Sequence, residues 1–154
     1  MRTESQIDIH FRNLLRGDFD RVMQIERSCF FTPWNRATMI HKLAGRRTIA
    51  RVATLGRDDP IAYLIYNLLI TEVEIENMAV DPHYQRLGIG RRMIDRLIAK
   101  KRPKIVAAVW ERNVEAQLFF RAMGFRVVEQ LYEYWKDGPK DEYAYLMTKD
   151  LSAP

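Results

Sequence analysis

Two stretches of this 154-residue chain carry groups whose types and spacing suit chemistry. The first is Gln85-Arg86-Leu87-Gly88-Ile89-Gly90-Arg91, at the start of a segment with helical spacing. The first N–H groups of a helix lack intrahelical partners and, with the helix dipole, point at any anion placed there. Gly88 and Gly90 remove side chains that would hold a phosphate away, and Arg86 and Arg91 can add charge-assisted hydrogen bonds. A diphosphate is the natural ligand of such a cradle. The P-loop pattern needs a Gly-Lys-Ser/Thr ending, which is absent, and the dinucleotide pattern needs three glycines directly after a strand. Taken alone, the loop reads as an anion cradle or as a surface loop that happens to hold two glycines. The second stretch is Glu72, Glu74 and Glu76, which alternate along a strand-like segment and so share one face. Neighbouring carboxylates can raise one another's pKa, which suits a general base, although a solvated sheet face has the same pattern.

These groups must be positioned by the elements around them. Ile7 to Leu14 alternates like a strand, and Asp18 can cap a helix with Phe19, Val22, Met23, Cys29 and Phe30 on its apolar face. Phe31-Thr32-Pro33-Trp34 breaks that helix, and Asn35 can cap a second one through Leu43, ending at Gly45. Strands are expected over Thr48–Thr54, Ile61–Leu69 and Glu72–Val80, with a turn from Gly56 to Pro60 and a stop at Asp81-Pro82. A helix over Gly88–Lys101 ends before Pro103, and Ile105–Val109 reads as a buried strand. Asn113 can cap a helix with Val114, Leu118, Phe119 and Ala122 as its apolar side, closed by Gly124. Phe125–Trp135 and Tyr143–Met147 complete a final strand pair around Asp137-Gly138-Pro139. The order β-α-α-β-β-β-α-β-α-β-β points to a three-layer α/β domain.

The chain length fits one domain spanning residues 1–154. With 47% hydrophobic and 29% charged residues, the composition is that of a soluble globular protein. No apolar run approaches the roughly 18 residues of a membrane span, and Met1 to Asn13 lacks the apolar core of a signal peptide, so no membrane partner and a cytoplasmic location are expected. The single cysteine, Cys29, is expected to be buried and inert. The net charge of +5 could mean a nucleic-acid or ribosome partner, but apart from Arg86, Arg91, Arg92 and Arg96 and the Lys100-Lys101-Arg102 run the basic residues are spread out, so a basic cofactor site on a solvated surface is preferred and no direct nucleic-acid partner is expected. No metal site is expected either.

The Gln85-x-x-Gly88-x-Gly90 signature, between a Val80-Asp81-Pro82 strand end and an amphipathic helix, resembles that of the GNAT superfamily of acetyltransferases. Asn113, Ala116, Phe120 and Met123-Gly124-Phe125 resemble the family's Asn, helix, Gly-Phe segment, and Glu142-Tyr143-Ala144-Tyr145-Leu146-Met147 its closing strand. Ile25-Glu26 and Pro33-Trp34 resemble the substrate-side helices of the branch that acetylates the N-terminal alanine of ribosomal proteins. The resemblance implies a mixed, mostly antiparallel sheet flanked by helices. It also implies acetyl-CoA as co-substrate, with transfer to an amine, a protein N-terminus (possibly ribosomal) foremost. In the family the strand before the signature is bulged and splays from its neighbour. The resemblance therefore gives the backbone of Met78, Ala79 and Val80 to the acetyl-pantetheine. The pyrophosphate falls to Gln85, Arg86, Leu87, Gly88, Ile89, Gly90 and Arg91, and the pantetheine side to Asn113, which can cap its helix as well.

The reaction is attack of a neutral amine on a thioester. An α-amine with a pKa of about 8 is largely protonated near neutrality, so a base must take its proton. A donor can also protonate the leaving thiolate. The branch's glutamate and tyrosine fall on Ala108 and Phe120, which move no protons. Glu74 matches the base of the histone-acetylating branch and is the expected catalytic base. Glu111 is close in sequence to the missing glutamate but stands past the expected strand end. Tyr134 matches a tyrosine near the peptide site of N-terminal acetyltransferases; it is the second catalytic candidate, as substrate contact or proton relay, and otherwise a core aromatic. His83 reads as solvated and Tyr84 as a packing residue. Phe31, Pro33, Trp34 and Tyr134 are either walls of a peptide slot or, for Phe31 and Trp34, ordinary core. The rival readings are a small-molecule amine acetyltransferase and an acyl-CoA sensor without turnover.

Overall fold

A computed structural model of the chain describes residues 8–56, 59–136, 138 and 140–152. Ile7, Arg57, Asp58, Asp137 and Pro139, which figure in the expected strands and turns, lie outside the described residues. The elements are β1 (Ile9–Asn13), α1 (Phe19–Cys29), α2 (Arg36–Leu43), β2 (Thr48–Leu55), β3 (Pro60–Leu68), β4 (Glu72–Val80), α3 (Ile89–Ile98), β5 (Lys104–Trp110), α4 (Val114–Ala122), β6 (Arg126–Tyr132) and β7 (Tyr143–Asp150). Single 3₁₀ turns at Arg16–Asp18 and Pro82–Tyr84 precede α1 and follow β4. This is the expected element order. The strands run β1-β2-β3-β4-β5-β7-β6 in a mixed, mostly antiparallel sheet, in which β4 and β5 pair in parallel. The described residues fall into two compact units, those up to 68 together with 77–93, and 69–76 together with those from 94 onward. β4 and α3 contribute to both.

In the first unit, Val22, Met23 and Ile25 of α1 pack with Met39 of α2, Val52 of β2, Tyr63 and Ile65 of β3 and Ala79 of β4. Burying each large aliphatic side chain in this cluster stabilises the fold by about 1.5–3 kcal/mol. β3 is buried from Pro60 to Tyr66, a continuous run rather than an alternation, because both of its faces are covered. Asn35 caps α2 as expected, its side chain accepting the Thr38 N–H at 2.8 Å. Asp18 departs from expectation. It stands at the head of α1 but caps nothing in that helix. Its carboxylate is buried against Arg12, at 2.7 and 2.9 Å, and accepts the Leu15 N–H of the preceding turn at 2.7 Å. A charged partner is the stronger acceptor interaction, and it draws the side chain away from the helix end.

In the second unit, Ile105, Val106, Ala107 and Val109 of β5 are buried with Ile94 and Leu97 of α3, Phe125, and Ala144 and Met147 of β7. α3 is shorter than expected. The Lys100 and Lys101 N–H groups bond three residues back, and Lys101 takes a φ of 59°, ending the helix before Pro103. α4 faces the other way from expectation: Val114 and Leu118 are 56% and 61% exposed, whereas Phe120 is 5% exposed. The spacing 114, 118 places those two on one face, while Phe120 lies on another and meets the Phe125 ring at 4.9 Å. Gly124 closes the helix at φ +92°, as expected of a residue past a helix end. Among the described residues no helix is long and apolar enough to cross a membrane.

Candidate active site

The cradle begins where β4 ends. Asp81 does more than stop the strand. Its N–H bonds the Ile61 carbonyl at 2.8 Å. Its buried carboxylate pairs with Arg21, which also donates to the Pro60 carbonyl at 2.9 Å. The carboxylate also accepts the backbone N–H and Nδ1 of His83, both at 2.9 Å. Burial pushes the Asp81 carboxyl up, but the bonds from His83 and Arg21 outweigh it and bring it down to about 2. The group is therefore a charged latch on the loop. His83, expected to be solvated, is exposed yet tied to this latch. Tyr84 is half-buried, as a packing residue would be.

Beyond the latch, the Gln85 side chain and Cys29 Sγ both donate to the Val80 carbonyl, at 3.0 and 3.2 Å. Cys29 is half-buried, not enclosed as expected. Arg86 and Gly88 then take φ values of 66° and 79°. Left-handed residues in such a turn aim neighbouring N–H groups toward a common point. An ideal Cβ on Gly88 would meet no atom within 4 Å, so conformation rather than space calls for glycine there. Arg92 donates to the Gly88 carbonyl at 3.1 Å, the opening bond of α3, and the amides before it have no intrahelical acceptor. Arg86, Leu87 and Arg91 are exposed. Ile89 is 2% exposed, so its side chain belongs to the core and only its backbone can face a ligand.

The second unit holds the carboxylate candidates. Glu72, Glu74 and Glu76 are half-buried on β4 and alternate with buried Val73 and Ile75. β4 pairs in parallel with β5 from Glu72↔Lys104 to Ile75↔Ala107; Met78, Ala79 and Val80 stand beyond the last of these pairs. Tyr134 follows β6 with its ring edge-on to Trp135 at 5.2 Å and is 47% exposed. It is therefore not a core aromatic. Its phenol is held above the usual value by burial, then by the charge of Glu74, then by that of Glu76. The two residues singled out in the sequence thus share one electrostatic environment, and it keeps the phenolic proton in place. The turn carrying Tyr134 is pinned by Tyr132 Oη donating to Asp141 at 2.6 Å and by the Glu133 N–H on the Glu142 carbonyl at 2.8 Å.

Ala108 is half-buried on β5, and Phe120 is packed against Phe119 and Phe125, a structural aromatic in the place of an acid. Glu111 lies past the end of β5, where its carboxylate accepts the Tyr143 N–H at 3.0 Å and its carbonyl accepts Gln117 Nε2 at 2.8 Å. Asn113 caps α4 through the Ala116 N–H at 3.1 Å. Phe31 is 90% exposed, against the core expectation, whereas Trp34 is partly buried on the α1–α2 core as expected.

The most buried carboxylate among the described residues entered the sequence reading only through the Ile25-Glu26 resemblance and was given no role there. Glu26 is 2% exposed and accepts Tyr63 Oη, Asn77 Nδ2 at 2.5 Å and the Trp34 N–H at 3.0 Å. Burial raises its pKa, and the three bonds pull it back only in part. The signal was the helical spacing of Val22, Glu26 and Cys29, which sets Glu26 on the apolar stripe of α1. Glu142, read in the sequence only as the start of the closing strand, accepts Trp110 Nε1 and pairs with Arg112 at 2.9 Å. Among the described residues no group of three or more His, Cys, Asp or Glu side chains is arranged to hold a metal.

Comparison with known proteins agrees with this reading. The acetyltransferase (GNAT) family model matches residues 19–125. The N-alpha-acetyltransferase RimI of Mycobacterium tuberculosis is 30% identical, with 92% of each chain covered. The crystal structure of the ribosomal-protein-S18-alanine N-acetyltransferase from Escherichia coli superposes with a TM-score of 0.77 at 25% identity, covering 95% of this chain and 96% of that one. Arabidopsis thaliana NAA60 in complex with acetyl-CoA shares the fold, with a TM-score of 0.78 at 17% identity over 94% and 99% of the two chains. The chain belongs to the GNAT family of acetyltransferases. It is accordingly an acyl-transferring enzyme, not merely a sensor.

Proposed function

We propose that this acetyltransferase moves the acetyl group of acetyl-CoA to the α-amine of a protein N-terminus, with the N-terminal alanine of a ribosomal protein as the first acceptor to test. The observation that carries the reading is the left-handed pair Arg86 and Gly88 at the start of α3, a turn whose N–H groups suit a diphosphate. The backbone from Gln85 to Arg91 holds the pyrophosphate there, and Arg86 and Arg91 add charge. Met78, Ala79 and Val80 offer backbone groups to the acetyl-pantetheine. The Val80 carbonyl already accepts two donors, so its contribution is the N–H. Asn113 faces the pantetheine while capping α4.

Acetyl-CoA supplies an acetyl thioester. Glu74 takes a proton from the acceptor's ammonium, directly or through water, freeing the neutral amine that attacks the thioester carbon, and Tyr134, held in its protonated form, donates toward the leaving sulfur or orients the amine. Phe31, exposed on the loop after α1, gives an N-terminal peptide an apolar contact. The acceptor follows the relatives, which are named for N-terminal and ribosomal-protein alanine acetylation. The two compact units are read as one catalytic domain, because β4 and α3 contribute to both and the family model runs through both. A cytoplasmic location fits a ribosomal acceptor. The test is CoA release with peptides beginning in alanine, the same peptides blocked at the N-terminus, polyamines and aminoglycosides. Turnover confined to free N-termini is expected, and faster turnover of a small amine overturns the acceptor assignment.

A further inference from the structure

Glu26 is the one fully buried carboxylate among the described residues that the proposed chemistry leaves without a role. A leucine there would complete the apolar stripe of α1 and avoid the desolvation of a charge, so helix packing does not explain a carboxylate. A carboxylate can instead accept several donors at once. One Glu26 oxygen receives Tyr63 Oη of β3 and Asn77 Nδ2 of β4, and the other receives the backbone N–H of Trp34. Phe30 to Trp34 has no regular secondary structure to hold it, and Asn77 leads directly into Met78, Ala79 and Val80.

We infer that Glu26 is a positioning residue, whose carboxylate fixes the Phe30–Trp34 loop and the Asn77–Val80 stretch relative to each other and so sets the seat of the acceptor peptide. This rests on the reading that the loop contacts the acceptor and that β4 carries the thioester. Glu26 touches neither reactant; it acts through Trp34 and Asn77. The substitution Glu26→Gln separates its two bonds. The amide oxygen can still serve Tyr63 and Asn77, but its NH₂ group then faces the Trp34 N–H, donor against donor.

The experiment compares wild type, Glu26→Gln and Tyr63→Phe in three readouts: acceptor-peptide KM, acetyl-CoA Kd, and amide hydrogen exchange. For Glu26→Gln the acceptor KM is expected to rise about tenfold, as loss of a bond to a charged group implies, with acetyl-CoA Kd held within about twofold. Exchange should quicken at residues 30–34 and not along α3. Tyr63→Phe removes a donor but leaves the Trp34 anchor, so it should lower Tm with the acceptor KM unchanged. An unchanged acceptor KM in Glu26→Gln, or an equal rise in Tyr63→Phe, overturns the inference. If wild type acetylates no peptide, the proposed function fails. The exchange data then decide the positioning role by themselves: quickening confined to residues 30–34 supports it, and no quickening there refutes it.

Discussion

Replacing Asp81 with asparagine tests whether the end of β4 is held by charge. The side chain keeps its size but loses the charge that pairs with Arg21 and His83. The carboxyl lies at about 2 in the fold against 3.8 unperturbed. That depression corresponds to at most about 2–3 kcal/mol. The side chain is 9% exposed and close to the exposed His83 ring, so solvent screening reduces the contribution to about 1–2 kcal/mol. The folded value is depressed, so the contribution is complete above the unfolded value near 4 and is lost as pH falls toward 2. About half of it is gone by pH 3. Urea melts of wild type and Asp81→Asn at pH 7, 5 and 3 measure this directly. We expect a gap of about 1–2 kcal/mol at pH 7, equal to about 2–8 °C in Tm, unchanged at pH 5 and roughly halved at pH 3. A gap that is absent at pH 7, or equally large at pH 3, refutes the charged latch.

The remaining predictions concern the cradle, the proton transfer and the core. Gly88→Ala meets no steric clash, so its cost is that of holding a Cβ at φ +79°, about 1–2 kcal/mol; acetyl-CoA affinity measured by calorimetry should fall about 5–30-fold. Glu74→Gln should lower kcat about 10²-fold or more with little change in acceptor KM, and Tyr134→Phe should lower it less; an unaltered rate and pH profile in Glu74→Gln would remove it as the base. Phe120→Ala should cost about 3–5 kcal/mol in a denaturant melt, whereas Leu118→Ala should stay within about 0.5 kcal/mol, the reverse of what the expected apolar side of α4 implies.

Local signals were legible in the sequence because the forces behind them are local. Asn35 and Asn113 read as caps, since a short side chain beside a helix start bonds N–H groups only three residues away. Gly124 read correctly as a helix-closing residue because left-handed backbone favours glycine, and Glu72 to Val80 read as a strand from its alternation; Gly88 was expected for the space it leaves, whereas its φ is what calls for glycine. Asp18 was misread by the same local logic, because Arg12 on the neighbouring strand competes for the carboxylate. Val114 and Leu118 were misread because helical spacing says which residues share a face, not which face meets the core.

By itself, then, the sequence determined the order of elements, the glycine turn that opens α3 and the family to which these motifs belong. All of these are set by residues within a turn or two of one another. Tertiary structure decided the rest: that Phe31 is exposed, that Asp81 is a latch, that Tyr134 shares the field of Glu74 and Glu76, and that Glu26 is the most buried carboxylate described. Burial and pKa depend on neighbours far along the chain. Tyr63 and Asn77 are 37 and 51 residues from Glu26, and Arg21 is 60 from Asp81. No window of sequence places such partners side by side; only packing does.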